Sequence, residues 1–357
     1  MNPYLTIFVL TSLIAFVCNK KGKVAGALII CIILSVFAGT RTESVAPDYY
    51  LYEYLFSLVG RSTRTFIETY PYMEWSFIII PNFVKLLFQQ STDIVNGSFL
   101  MFALLGVSLK MYAINKYSSH FFFSVFLYFG FIFLMSDMIT IRAGVASSLF
   151  LLSVFYFDEK KYTHVMILIA LALIFHYSSV ICIFVLLALR FNVGYKLLFT
   201  MSIIAIVIAV LKIDVLNMMG LGRFFPKIEM YNQIQKKGGG DELNLFNFRI
   251  LFSLFIIVIF SMNFKKLITI KYFDTLFKIH IISVILFFLF SSMNMTFSVR
   301  TFEYLTVIQV ILFPLLLDIF DKKLKLIPYI ILILYGIMQY YYLIELSKLF
   351  HRYESWL

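Results

Sequence analysis

The stretch that decides the fold is residues 138–190, MITIRAGVASSLFLLSVFYFDEKKYTHVMILIALALIFHYSSVICIFVLLALR. It holds two apolar runs joined by a charged turn, and Arg142 lies at the start of the first run. The second run is interrupted only by His176 and the hydroxyl residues beside it. Polar groups at such depths are costly in a bilayer and often mark function, so Arg142 and His176 are the first candidate site residues.

The composition predicts a polytopic membrane protein. Of the 357 residues, 62% are hydrophobic and 14% are charged, and the mean hydropathy is +0.93. A soluble domain is about half apolar and about a quarter charged. The net charge of +11 comes from Lys and Arg in short turns between apolar runs, which is a topology signal, so we expect no nucleic-acid partner.

The run at residues 162–189 is too long to cross the membrane once. As a single helix it would measure about 40 Å, whereas the hydrocarbon core is about 30 Å thick. Both of its ends are basic, with Lys161 before it and Arg190 after it, which a single crossing cannot reconcile with the positive-inside rule. We therefore predict two short helices that meet outside at His176, with Ser178 or Ser179 capping the second.

The same reasoning along the chain predicts an all-α polytopic membrane protein. We expect about twelve transmembrane helices, both termini outside, and a single transmembrane domain covering residues 1–357. Residues 40–96 are predicted to form a periplasmic segment of amphipathic or re-entrant helices, in which Leu51, Tyr54, Leu55 and Leu58 share a face. Residues 214–247 are predicted to form an external loop whose length and glycines suit a mobile lid.

Motifs for several other chemistries are absent from the sequence. The three cysteines lie inside apolar runs without ligand spacing, which predicts neither a disulfide framework nor a metal site. There is no Walker-type glycine loop, no HExxH, no GxSxG and no acidic metal-binding pair, which argues against an ATP-driven transporter and a metalloprotease. We expect no cofactor and no metal ligand set.

On the predicted topology, six ionisable residues fall at or just below the external surface. They are Arg41, Asp48, Arg142, His176, Arg249 and Arg300. External arginines run against the positive-inside rule, and an anionic group such as phosphate would explain them, because the planar guanidinium can grip phosphate with two hydrogen bonds.

Each of these residues also has a structural explanation. An arginine at the end of a span can reach the lipid headgroups, and a lone histidine can be a packing residue. Asp48 can simply cap a helix that begins at Tyr49. Glu74, beside Trp75, is interpreted as an interfacial residue.

Three segments resemble motifs of the EpsG family of membrane proteins. AGTRTESVAPDYYLYEYL (residues 38–55) resembles the early Arg and Asp-Tyr motif. IRAGVASSLFLLSVFYFDEKKYTHVMILIALALIFHYSSVI (residues 141–181) resembles the central motif, in which an Arg opens a helix and a later segment closes on Phe-His-x-Ser. VRTFEYL (residues 299–305) resembles the late Arg-and-aromatic motif.

The resemblance implies a glycosyltransferase of the bacterial inner membrane, an O-antigen polymerase of the Wzy type used in lipopolysaccharide biosynthesis. Such an enzyme works on the periplasmic face, without metal, and transfers the growing glycan from undecaprenyl pyrophosphate to a new lipid-linked repeat unit. The implied partners are these lipid-linked oligosaccharides, membrane lipid and a chain-length regulator protein.

Site roles follow from combining the resemblance with the charge layer. The predicted catalytic residues are His176, Arg142 and Asp48, with either His176 or Asp48 as the base. The predicted substrate-binding residues are Arg41, Arg300, Arg249, Tyr49, Ser178 and Tyr304. An O-antigen ligase-like or acyltransferase membrane enzyme is the first alternative, and a polysaccharide transporter or flippase is the second.

Overall fold

The computed structural model describes residues 2–18, 22–213, 218, 244–292 and 295–357, so most of the predicted lid lies outside the described residues. In these ranges the regular structure is helical, joined by turns and loops, and one isolated β-bridge links Arg41 and Ser355. In chain order the helices are α1 (Pro3–Val17), α2 (Lys23–Gly39), α3 (Tyr49–Arg61), α4 (Thr63–Thr69), α5 (Ser76–Lys85), α6 (Ser91–Tyr117), α7 (Phe121–Leu127), α8 (Ile141–Asp158), α9 (Tyr162–Phe175), α10 (Val180–Arg190), α11 (Tyr195–Val210), α12 (Phe248–Met262), α13 (Phe264–Leu267), α14 (Phe273–Ser291), α15 (Met295–Leu305), α16 (Gln309–Leu312) and α17 (Leu326–Tyr341).

Wider and tighter helical turns complete the described chain. Two π-helices extend α7 and α17, at Tyr128–Ile139 and Tyr342–Leu346. Short 3₁₀ turns lie at Tyr177–Ser179, Thr306–Ile308, Phe313–Asp318 and Lys322–Leu324.

The membrane character of the chain is confirmed. Within the described ranges, six helical segments are long and apolar enough to cross a bilayer: Ser91–Tyr117, Phe121–Ile139, Ile141–Asp158, Phe273–Ser291, Met295–Asp318 and Leu326–Leu346. Several shorter apolar helices accompany them, including α1, α2 and α9. The total of about twelve spans stays a prediction.

The predicted interruption at His176 is confirmed. Helix α9 ends at Phe175, a 3₁₀ turn covers Tyr177–Ser179, and α10 then begins. The Ser179 hydroxyl donates to the carbonyl oxygen of Ala172 at 3.1 Å, so it bonds the last turn of α9, and Ser178 is exposed. The helix therefore breaks at the polar cluster of this apolar run, and His176 lies between α9 and α10 rather than within either helix.

The described chain packs as two compact units, of which the first comprises Met1–Val180 and Phe313–Leu357. In this unit α6 packs between α2 and α8, and α8 packs on α9. Helices α3 and α5 pack against α6 and so hold the segment at residues 40–96 against that helix. The predicted short apolar run at residues 78–87 lies largely in α5, which has 10 residues and is too short to span.

Helix α3 is apolar on two sides. Tyr52 and Phe56 on one side are buried against α6, where both contact the ring of Phe99. Leu51 and Tyr54, on the face that the sequence assigns to the membrane surface, are 50% and 54% exposed. Leu55, predicted on the same face, is instead fully buried beside Phe56, so the exposed apolar face is narrower than predicted. A helix of this kind packs inward with one face and leaves an apolar face for lipid.

A segment at residues 349–357 runs along residues 40–45 in the first unit. The amide of Thr42 donates to the Glu354 carbonyl, and the amide of Trp356 donates to the Thr40 carbonyl, both at 3.0 Å. The Tyr353 ring stacks on Phe37 with centroids 4.0 Å apart. These contacts hold residues 40–45 in place.

The second unit comprises Ile181–Leu312 and is built on α14. Helices α11 and α15 pack on α14, and α12 contacts it as well. The phenol of Tyr195 donates to a carboxylate oxygen of Asp274 at 2.8 Å, and Lys278 pairs with the same carboxylate at 2.9 Å.

Close helix packing in the first unit predicts a stability effect. A Cβ atom at Gly130 would lie 2.9 Å from the carbonyl oxygen of Gly336 on α17, which is too close for carbon and oxygen. We expect Gly130→Ala to lower the melting temperature of the detergent-solubilised protein, with a cost of about 1–3 kcal/mol for overpacking. Gly194→Ala is the matched control, because a Cβ there would meet nothing within 4 Å. Equal melting temperatures for the two variants would contradict the close approach.

Candidate functional site

Arg142 forms a partly buried ion pair at the start of α8. Its Nη1 donates to Oε2 of Glu74 at 2.5 Å, and its Nε donates to the Tyr52 hydroxyl at 3.4 Å. The Glu74 side chain is only 4% exposed, whereas that of Arg142 is 18% exposed. A guanidinium carries five N–H donors, and these two bonds use two of them. No hydrogen bond within the described residues uses the other three donors, so they can bind an incoming anion.

His176 shares the same carboxylate. Its Nδ1 lies 3.4 Å from Oε1 of Glu74, so the two oxygens of Glu74 face two different site residues. The His176 side chain is 21% exposed. A carboxylate on Nδ1 favours the tautomer that carries its proton there, which leaves Nε2 as a proton acceptor.

The loop that carries Glu74 is docked on the break between α9 and α10. The phenol of Tyr177 donates to the Met73 carbonyl at 3.0 Å, and the hydroxyl of Ser76 donates to the Phe175 carbonyl at 3.4 Å. Glu74 lies between these two attachment points. The segment at residues 40–96 is therefore tied to the His176 turn at both sides of the carboxylate.

Aromatic rings hold the Arg142 side chain in position. Its guanidinium carbon lies 4.8 Å from the ring centre of Phe77 and 5.5 Å from that of Tyr52. Both rings are buried, and they lie 5.8 Å apart. Ring faces attract a cation and restrict its rotation. The guanidinium of Arg142 is therefore held by the two rings as well as by Glu74.

Glu74 is ionised across the physiological range. Burial on its own would raise the pKa of this carboxyl group, but the hydrogen bond with His176 and the charge of Arg142 outweigh burial and lower the pKa to about 2. The carboxylate is therefore a permanent negative charge at neutral pH.

Arg41 is buried in the same unit, and no carboxylate of the described residues forms an ion pair with it. It is 1% exposed, its Nη1 donates to the Ala38 carbonyl, and its guanidinium carbon lies 4.9 Å from the ring centre of Phe99. Its Nε and Nη2 are buried and have no hydrogen-bond partner in the part of the chain that the structure describes. Burial lowers the pKa of Arg41 to about 10, so it stays charged at neutral pH.

The other predicted residues of the first unit are less enclosed or are packed differently. Asp48 occupies the position before α3, half-buried, and makes no capping hydrogen bond with its side chain. Tyr49 is buried, with its ring stacked on Phe99 at 4.3 Å. Ser178 is exposed in the turn after His176. The fold thus brings Arg142 and His176 together and places Arg41 on the same aromatic cluster, through Phe99 and Tyr52.

The remaining predicted residues lie in the second unit. Arg249, at the start of α12, donates to Oε1 of Glu303 at 2.8 Å, and its guanidinium carbon lies 5.6 Å from the Phe302 ring centre. Arg300 is exposed on α15, and Tyr304 is buried on the same helix. The prediction that Arg249 and Arg300 join Arg142 concerns both units and stays a prediction.

Sequence reasoning missed the carboxylates that pair with these arginines. The sequence alone predicts an interfacial Glu74, because Trp75 follows it, and it assigns no role to Glu303 within VRTFEYL. No signal in the sequence distinguishes these two residues, because acidic residues also neighbour aromatic residues elsewhere, as Glu53 does between Tyr52 and Tyr54. No group of three His, Cys, Asp or Glu side chains is arranged to hold a metal ion within the described ranges.

Comparison with known proteins supplies the family. The family model described as the EpsG family matches residues 24–355. The chain belongs to the EpsG family. Proteins of the EpsG type are Wzy-like polymerases, which makes this chain a membrane protein of polysaccharide biosynthesis and a glycosyltransferase-like polymerase in general terms. Neither a curated protein nor a solved structure matches the chain.

The low pKa of Glu74 predicts a pH-dependent stability. Its pKa is about 2 in the folded chain against an ordinary value of 4.5, so ionised Glu74 stabilises the fold on the order of 3 kcal/mol above pH 4.5. This contribution is lost as the pH falls towards 2. We expect Glu74→Gln to lower the melting temperature clearly at pH 7 and much less at about pH 3. If the melting temperatures of the Glu74→Gln variant and the unchanged protein differed equally at both pH values, the lowered pKa of Glu74 would be contradicted.

Proposed function

We propose that this chain is a Wzy-type polymerase that extends a surface polysaccharide, such as O-antigen, at the periplasmic face of the bacterial inner membrane. The growing glycan is transferred from undecaprenyl pyrophosphate to a new repeat unit on the same carrier. On this proposal the chain crosses the membrane about twelve times with both termini outside. A chain-length regulator protein is the expected protein partner.

The observation that carries the proposal is the Arg142–Glu74–His176 constellation. It combines a cation with a histidine whose Nδ1 faces Glu74, so that Nε2 takes the role of proton acceptor, and the two side chains are 18% and 21% exposed. Transfer of a glycosyl group from a diphosphate needs these two functions. One stabilises negative charge on the leaving oxygen, and the other removes a proton from the attacking hydroxyl.

The reaction balances with these groups. A hydroxyl of the acceptor sugar attacks the anomeric carbon of the donor glycan as the bond from that carbon to the pyrophosphate oxygen breaks. The bonding electrons leave with undecaprenyl pyrophosphate, where Arg142 stabilises the growing charge. Nε2 of His176 accepts the hydroxyl proton, and Glu74 stabilises the resulting imidazolium.

The other predicted residues take supporting roles in this proposal. Arg300 takes the predicted role of a pyrophosphate-binding arginine of the second unit, and on this proposal arginines supply the positive charge without a metal ion. Arg41 and Asp48 help to hold the acceptor sugar, with Tyr49 and Ser178. Arg249 and Tyr304 belong to the substrate-binding set of the second unit.

Alanine at Arg142 tests the leaving-group role. We expect Arg142→Ala to reduce polymer by about a hundredfold or more, because charge on the leaving oxygen loses its partner. The polymer is measured on gels from a deletion strain that carries the variant at wild-type membrane levels. Arg64→Ala is the matched control, since Arg64 lies in the same external segment with an 89% exposed side chain and should be neutral.

Alanine at His176 tests the proton-acceptor role. We expect His176→Ala to reduce polymer by about a hundredfold in the same assay, in line with the loss of a general base. His164→Ala is the control, because His164 is an exposed histidine on α9. Unchanged polymer length and yield in either the Arg142 or the His176 variant would overturn the assignment.

The products that accumulate distinguish the alternatives. In a strain that makes O-antigen, loss of a polymerase leaves a single repeat unit on lipid A core, whereas loss of a ligase leaves none. Loss of a flippase also leaves none and retains the repeat units on the cytoplasmic face. We expect the Arg142→Ala and His176→Ala variants to accumulate lipid A core that carries a single repeat unit.

A further inference from the structure

The first unit contains a fully buried ion pair. Nζ of Lys110, on α6, lies 2.8 Å from Oδ1 of Asp137, and both side chains are only 1% exposed. The phenol of Tyr128 donates to Oδ2 of the same carboxylate at 2.7 Å. Charged residues buried at this depth of a membrane protein are costly and usually serve a purpose. The reaction described above uses none of these three residues.

The ion pair lies at the joint that begins α8. Asp137 is in the last turn of the π-helix Tyr128–Ile139, and Thr140 is the single residue between that helix and α8. The amide of Thr140 donates back to the Met135 carbonyl at 2.9 Å. Wide π-type turns are uncommon and recur near functional sites.

Lys110 bridges the two sides of this joint. Besides Asp137, its Nζ donates to the Gly144 carbonyl at 2.8 Å, in the first turn of α8. The hydroxyl of Ser148 donates to the same carbonyl at 2.7 Å. One ammonium therefore ties the end of the π-helix to a point two residues after Arg142.

Two glycines allow the three helices to close around the ion pair. A Cβ atom at Gly144 would overlap the Ser136 carbonyl oxygen, and a Cβ atom at Gly106 would overlap Oδ1 of Asp137. Any larger residue at either position would force the helices apart. The joint is thus fixed by close backbone packing as well as by charge.

We propose that Lys110, Asp137 and Tyr128 are positioning residues that fix the start of α8 and thereby aim Arg142 at Glu74. Each helical residue turns about 100° around the axis, so even a fraction of a residue of slippage at Thr140 would swing the guanidinium away from Glu74. A buried, fully bonded ion pair suits this task, because it specifies one arrangement of its helices at the expense of stability. The inference rests on the proposed function only for its effect on polymer yield.

A double-mutant cycle on stability tests the positioning without any substrate. Asp137 bonds Lys110 and Tyr128, whereas Glu74 bonds Arg142 and His176, so the two carboxylates share no partner. Separate sites of this kind contribute additively unless something between them couples them. We expect Glu74→Gln to lower the melting temperature less in the Asp137→Asn protein than in the otherwise unchanged protein.

Two further variants keep this test decisive. If Asp137→Asn does not fold, Tyr128→Phe takes its place, because it removes one hydrogen bond and leaves the ion pair intact. Asp318→Asn is the control, since Asp318 pairs with His120 in the same unit at 2.9 Å, away from Arg142. The effect of Glu74→Gln should be unchanged in the Asp318→Asn background. The same effect in the Asp137→Asn background would overturn the proposal.

Polymer yield separates this inference from the proposed function. We expect Asp137→Asn to reduce polymer about tenfold at equal membrane levels, and less than about twofold when Arg142 is already Lys. If Arg142→Lys and Glu74→Gln leave polymer unchanged, the proposed function fails. If these two variants lose polymer but Asp137→Asn leaves it unchanged or costs the same in both backgrounds, only the positioning role fails.

Discussion

The carboxylate of Glu74 is the contact on which the candidate site depends. A guanidinium buried at the start of α8 needs a negative charge, because the protein interior and the lipid solvate it poorly. Glu74 supplies that charge with one oxygen and faces His176 with the other. The loop that carries Glu74 is bonded to the turn after α9. Glu74 therefore links the segment at residues 40–96, helix α8 and the break between α9 and α10.

The break at His176 and the joint at Thr140 obey the same constraint. Backbone that leaves the α-helical ladder inside a bilayer must find other partners, so it is tolerated only where protein surrounds it or water reaches it. At the first break the partners are the Ser179 hydroxyl, which donates to the Ala172 carbonyl, and the Ser76 hydroxyl at the start of α5, which donates to the Phe175 carbonyl. At the second they are Lys110 and the wide turns of the π-helix. Arg142 and His176 each sit beside one of these irregular points, where helices can present side chains that a continuous ladder would direct into lipid.

Much of this arrangement could be predicted from the sequence, for identifiable reasons. Helix bounds followed from apolar length, and the interruption at His176 followed from a run too long and too basic at both ends to cross once. Arg142 and His176 stood out because polar residues are rare in such runs. Glu74 did not stand out, because it lies in a mixed polar and aromatic loop, where an acidic residue is unremarkable. Lys110 and Asp137 are separated by 27 positions, and nothing in either helix indicates that they face each other.

Arg41 departs from the rule that the other buried cations follow. Arg142, Arg249 and Lys110 each have a carboxylate within 2.8 Å, whereas Arg41 has a carbonyl and the faces of Tyr49 and Phe99. Ring faces offset only a small part of the cost of burying a charge. The segment at residues 349–357 helps to enclose it, because Ser355 pairs with Arg41 across the backbone. A buried guanidinium with two unbonded nitrogens would be stabilised by any anion that reached it. In the proposed reaction the acceptor sugar is attached to an anionic carrier, which would bring such a charge towards Arg41.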